Sequence, residues 1–134
     1  MEKIVIDSSV AIKWFVDEPK SKRALDLLAQ HDQNKITIIV PDVIRLEIIN
    51  GLFYSYHFGI SQLKDTLNSL GSLELHFVSI DEIDMENAAF LMEKFTITSY
   101  DALFIALAQN IGCQLVTNDR KHHLKKYYSN IKYL

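Results

Sequence analysis

Short, β-branched apolar runs alternate with helical segments from one end of the chain to the other, and few folds accept that alternation. "KIVI" (3–6), "KITIIV" (35–40), "LELHFVSI" (73–80) and "CQLVT" (113–117) read as strands. Helical patterns fill 8–16, 20–31, 41–58, 61–70, 81–95 and 99–112. A polar turn and short helix over 118–128 lead to a last edge strand at 131–134. Strands apolar on both faces belong in a parallel sheet with helices on both sides. The expected fold is α/β: one three-layer α/β/α domain over 1–134 with a mostly parallel sheet of four to five strands.

Punctuation supports these boundaries. Ser8 or Ser9 can cap the first helix and Ser99 the last long one. Pro41 stands at a first-turn position, where its missing N–H is harmless. Gly112 ends the helix before "CQLVT". There are 134 residues, 49% apolar, enough for one domain with a real core. The single cysteine, Cys113, allows no disulfide within the chain and no cysteine-based zinc site, and reads as a small buried hydrophobe. "MEKIVIDSS" lacks the pattern of a secretory leader, and no apolar run nears the ~18 residues needed to span a bilayer. A cytoplasmic protein with no membrane segment is expected.

In such a sheet, ligands bind beyond the carboxyl ends of the strands, near the switch point of the strand order. Four acids stand in telling places. Asp7 follows "KIVI" and Asp119 follows "QLVT". Taken singly, each reads first as a cap or turn residue. Asp101 begins the apolar helix "SYDALFIALAQNIG", where the helix dipole favours an acid by roughly 0.3–1 kcal/mol. That is less than the usual cost of burying an uncompensated charge. Glu47 lies mid-helix among Ile44, Leu46, Ile48 and Ile49. Arg45 points to roughly the opposite side, while Asn50 is in reach to orient it. Four gathered carboxylates would repel one another unless a cation intervened. A set of oxygens without histidine or cysteine favours Mg²⁺ or Mn²⁺ over zinc. The net charge of −3 argues against a broadly basic surface, but setting four acids aside in one site leaves the remainder slightly basic.

"VIDSSVAIKWFVDEP", then Glu47 in "PDVIRLEIINGL", then "YDALFIALAQNIGCQLVTND", resembles the PIN-domain family, and within it the VapC-type toxins of toxin–antitoxin pairs. The resemblance runs from Lys3 to about residue 126. It implies an endoribonuclease dependent on Mg²⁺ or Mn²⁺, with Asp7, Glu47, Asp101 and Asp119 as the family's acids. Ser9 and Thr117 match its hydroxyl positions. Partners implied are an RNA substrate, a cognate antitoxin whose C-terminal segment crosses the active-site groove, and a second copy of the chain. In the expected mechanism, Asp7 and Asp101 ligate metal directly, Asp119 directly or through water. Glu47 orients or deprotonates the attacking water, and Ser9 and Thr117 either hold carboxylates in place or simply bond the local backbone.

Two rival readings remain. One is a PIN-like module that binds metal or RNA without cleaving. The other is a phosphate-accepting receiver domain, for which only Asp42 and Asp81 offer themselves at strand ends. The basic run "DRKHHLKK" (119–126) reads first as a solvated helix face and second as a phosphate contact. His122 and His123 are metal ligands by type, but neighbours on a helix point apart, which argues against that role. Among Trp14, Phe15, Leu52, Phe53, Tyr54, Tyr56 and Phe58, most are expected in the core and some at a dimer or antitoxin surface.

Overall fold

The computed structural model describes residues Met1–Leu134. Five strands form one sheet: β1 (Glu2–Ile6), β2 (Ile36–Pro41), β3 (His76–Val78), β4 (Gln114–Thr117) and β5 (Ile131–Tyr133). Their spatial order is β3-β2-β1-β4-β5, and every neighbouring pair is parallel. Six helices accompany them: α1 (Ser8–Ala11), α2 (Ser21–Asp32), α3 (Ile44–Tyr56), α4 (Ile60–Ser72), α5 (Glu82–Phe95) and α6 (Ser99–Ile111).

The chain steps outward from β1 through β2 to β3, then returns to the other side of β1 for β4 and β5. Right-handed crossovers place α2–α4 on one face and α5–α6 on the other. The result is the three-layer α/β/α sandwich expected from the alternation. It also puts the switch of strand order between β1 and β4, whose carboxyl ends carry Asp7 and Thr117. Val5, Ile6, Ile38, Val40 and Leu115 are wholly buried between the layers. Helix α6 buries seven consecutive residues, Ala102–Ala108, against β1, β2 and β4, with α5 packed alongside.

Several boundaries differ from the sequence expectation, each for a local reason. The segment 8–16 is one turn of α-helix continued by a 3-10 turn, Ile12–Trp14. Pro41 ends β2 rather than opening a helix, and at a strand end its missing N–H breaks no ladder. Glu47 consequently falls in the first turn of α3, not mid-helix. Strand β3 keeps only three residues of 73–80. Thr98, not Ser99, caps α6. Residues 118–128 form turns and no helix. There the Asp119 carboxylate takes the N–H groups of Lys121 and His122 at 3.1 and 2.9 Å, an Asx-type turn that competes with helix propagation.

Candidate functional site

Asp7 leaves the end of β1 and caps α1, receiving a weak contact from the Val10 N–H at 3.4 Å. The cap accounts for little of its surroundings. Ser9 Oγ donates to Oδ1 at 2.5 Å, while Thr117 Oγ1 and His123 Nδ1 both donate to Oδ2, the latter at 2.7 Å. The residue is only 4% exposed. Ser9 also accepts the Asn118 N–H at 2.8 Å, tying the β1 and β4 ends together across the switch point.

Asp101 is held by reciprocal bonds with Thr98. The Asp101 N–H donates to Thr98 Oγ1 at 3.2 Å, and that hydroxyl donates to Asp101 Oδ2 at 3.1 Å. Thr98→Ala should cost about 1 kcal/mol by loss of the cap. Melting curves of the variant beside the unaltered chain would measure that loss.

Glu47 reaches the same place from α3. One turn on, Gly51 faces Ile12; a Cβ there would lie 2.7 Å from Ile12 Cδ1, so a larger residue would have to push that side chain aside. Glu47 Oε1 is buried with no hydrogen-bond partner, so Asn50 does not satisfy it as expected. Burial first, then the charges of Asp7 and Asp101, push the Glu47 carboxyl up to about 7, against smaller opposing effects of Ser8 and His123. Three acids therefore sense one another here.

Asp119 is placed differently. Its N–H donates to Thr117 Oγ1 at 2.9 Å, but its carboxylate turns onto its own loop and meets His122 Nδ1 at 2.9 Å. Burial opposes its charge, yet the His122 and Lys121 contacts win and hold the carboxyl below its usual range. The structure thus brings Asp7, Glu47 and Asp101 together, with Ser9 and Thr117 braced on Asp7, and leaves Asp119 at the rim.

His123 is a member of the site that the sequence does not announce. The residue is 2% exposed, with Nδ1 on Asp7, Nε2 3.2 Å from the Asp101 carbonyl oxygen and 3.8 Å from Asp101 Oδ1. Burial pulls the imidazole pKa down, but the hydrogen bond and charge of Asp7 and the charge of Asp101 outweigh it and raise the value. The two histidines do point apart, His122 outward and His123 inward; the sequence signal is the pair itself, without a helix.

No trio of His, Cys, Asp and Glu is drawn tightly enough to grip a metal by itself. The donors nevertheless suit a hard divalent cation. They are oxygens, their charges conflict, and one buried oxygen lacks any partner. Beside Glu47 opens a groove of about 660 Å³ whose walls include Leu46, Phe53, Tyr54 and Tyr100. These four are exposed. Phe53, Tyr54 and Tyr56 thus lie at the surface, whereas Leu52 is core and Trp14, Phe15 and Phe58 pack against it.

An all-parallel α/β/α domain with conflicting carboxylates at its switch point defines the class: a doubly wound domain with an acidic site between β1 and β4. The chain belongs to the PIN domain family, whose model matches residues 4–128. Among curated proteins it is similar to Ribonuclease VapC3 of Pyrobaculum aerophilum, 28% identical over 124 residues, 89% of this chain and 91% of that protein. Solved structures share the fold. A toxin–antitoxin complex from Klebsiella pneumoniae superposes with TM-score 0.70 and 18% identity over 96% of this chain and 95% of that one. Mycobacterium tuberculosis VapC20, described as a sarcin-ricin loop cleaving toxin, gives TM-score 0.70 and 14% identity over 89% and 92%. VapBC2 from Rickettsia felis, bound to a DNA fragment from its promoter, gives 0.68 and 17% over 98% of both chains. No helix of this chain is long and apolar enough to cross a membrane.

Proposed function

We propose that this chain is an endoribonuclease that hydrolyses RNA phosphodiester bonds with Mg²⁺ or Mn²⁺, and the toxin of a VapBC-type pair. The observation that carries the reading is the partnerless Glu47 Oε1, buried where the charges of Asp7 and Asp101 also act. Asp7, Asp101 and Glu47 would hold the cation, with Asp119 joining from the rim. When bound, the ion would polarise the phosphate and lower the pKa of a bound water. The protein's own share is orientation. Ser9 and Thr117 fix the Asp7 carboxylate, Thr98 fixes Asp101, and α3 carries Glu47 to the proton it would accept.

The rival receiver reading has weaker support. Asp42 is half-buried and bonded to Arg45 and Ser79, and Asp81 is committed to a capping box with Asp84. The family and the ribonuclease relative support RNA cleavage over a purely binding module. The groove beside Glu47 suits an apolar segment of an antitoxin. The exposed Ile83, Met85 and Phe90 of α5 suit pairing with a second copy.

The test is cleavage of RNA by the purified chain, free of antitoxin, in Mg²⁺ or Mn²⁺ and in EDTA. Activity lost in EDTA and restored by metal is expected; intact RNA in every condition would overturn the reading. Substrate binding is expected from the basic loop after Asp119. Reversing the charges of Lys121 and Lys125 should weaken RNA binding and reduce its log–log salt slope by roughly 0.7 for each phosphate no longer neutralised. An unaltered slope would return these lysines to the role of solvated surface.

A further inference from the structure

We infer that His123 is a positioning residue for the metal site, fixing which oxygen of Asp7 is free and how far the start of α6 stands from the end of β1. The inference rests on the metal reading above. A carboxylate offers about four lone-pair directions. On Asp7, Oδ2 is filled by two donors, Thr117 Oγ1 and His123 Nδ1. Oδ1 receives Ser9 Oγ and only the 3.4 Å approach of the Val10 N–H. The spare acceptor capacity is therefore on Oδ1, because the ring and the threonine occupy its partner.

The other ring nitrogen spans to the second acid-bearing element, 3.2 Å from the Asp101 carbonyl oxygen. No other side chain hydrogen-bonds to both Asp7 and Asp101. The ring is itself held. The His123 N–H donates to the Asp119 carbonyl at 3.1 Å, Tyr133 Oη donates to the His123 carbonyl at 3.0 Å, and Phe104 lies edge-on with centroids 6.2 Å apart. A loop without helix or strand thus presents a rigid two-ended spacer. Partners that orient metal ligands typically change affinity or activity by about 10- to 100-fold.

Three substitutions separate positioning from mere packing. His123→Phe keeps the bulk and loses both bonds. His123→Asn places an amide nitrogen near the Nδ1 position and keeps the Asp7 bond. His123→Gln places it near Nε2 and keeps only the Asp101 bond. Mn²⁺ affinity of the isolated protein is measured by calorimetry, alongside thermal midpoints. The Phe variant should bind Mn²⁺ about 10- to 100-fold more weakly, the Asn variant should recover most of the loss, and Gln less. Wild-type affinity in the Phe variant would overturn the inference, as would Asn binding no better than Phe at the same midpoint. If the Phe variant does not fold, Asn binding tighter than Gln supports the inference and the reverse or equality overturns it. A wild-type chain without Mn²⁺ affinity overturns the metal reading, and this one with it; normal wild-type affinity unaltered in all three variants overturns this one alone.

Discussion

Asp101→Asn should leave the fold intact and reduce RNA cleavage by more than about 100-fold, the upper range for partners that merely orient a metal ligand. The change is close to isosteric. The Asp101 N–H still donates to Thr98 Oγ1, and the amide oxygen still accepts from that hydroxyl. The helix loses one acid from its first turn, roughly 0.3–1 kcal/mol. Glu47 loses one of the charges that raise its pKa, which offsets part of that cost. Stability should therefore hardly move while metal-dependent chemistry collapses. Asp7→Asn should be as damaging to cleavage but a poorer probe, because Asp7 accepts from Ser9, Val10, Thr117 and His123 and some of those bonds would be lost with the charge. Undiminished cleavage by a well-folded Asp101→Asn preparation, checked by circular dichroism, would remove Asp101 from the site.

The fold is legible in the sequence because its cause is a pattern. Runs such as "KIVI" and "KITIIV" are apolar on both faces, so a parallel sheet is the natural home for them, and β1 and β2 pair as that requires. The acids are legible as types in places: strand end, helix start, apolar helix. Their relative geometry is not. Glu47 reads as mid-helix because Pro41 looks like a helix opener, whereas the strand extends through Pro41 and shifts the helix start to Ile44. The loop 118–128 reads as part helix because its composition is helical, but a side chain, Asp119, captures the amides a helix would use. That one competition hides His123. A histidine joining two residues 22 positions away or more leaves no periodic trace, only its type.

Glu47→Gln should stabilise the metal-free protein above neutral pH and remove a pH dependence the wild type shows. The Glu47 carboxyl rises from 4.5 to about 7 on folding, chiefly through burial and then through Asp7 and Asp101. A group that holds its proton more tightly when folded contributes stability that is complete below its unfolded value and lost as pH climbs through its folded value. The share of stability contributed by Glu47 should therefore fall between pH 4.5 and about 7 and be gone above, which is the part of the profile that Gln removes. At full burial that rise corresponds to roughly 3 kcal/mol, but Glu47 is partly open to solvent, and screening reduces it to about 1–2 kcal/mol. Thermal midpoints above pH 7 should differ by several degrees in favour of Gln. Saturating Mn²⁺ should reverse the order. An ion at about 100 times its wild-type Kd stabilises the wild type by about 2.7 kcal/mol, whereas a Gln variant binding about 100-fold more weakly gains only about 0.4 kcal/mol, a difference larger than the ionised glutamate costs. Equal midpoints for the two proteins across pH 5–8, with and without Mn²⁺, would mean that Glu47 is neither held at a cost nor recovered by a metal.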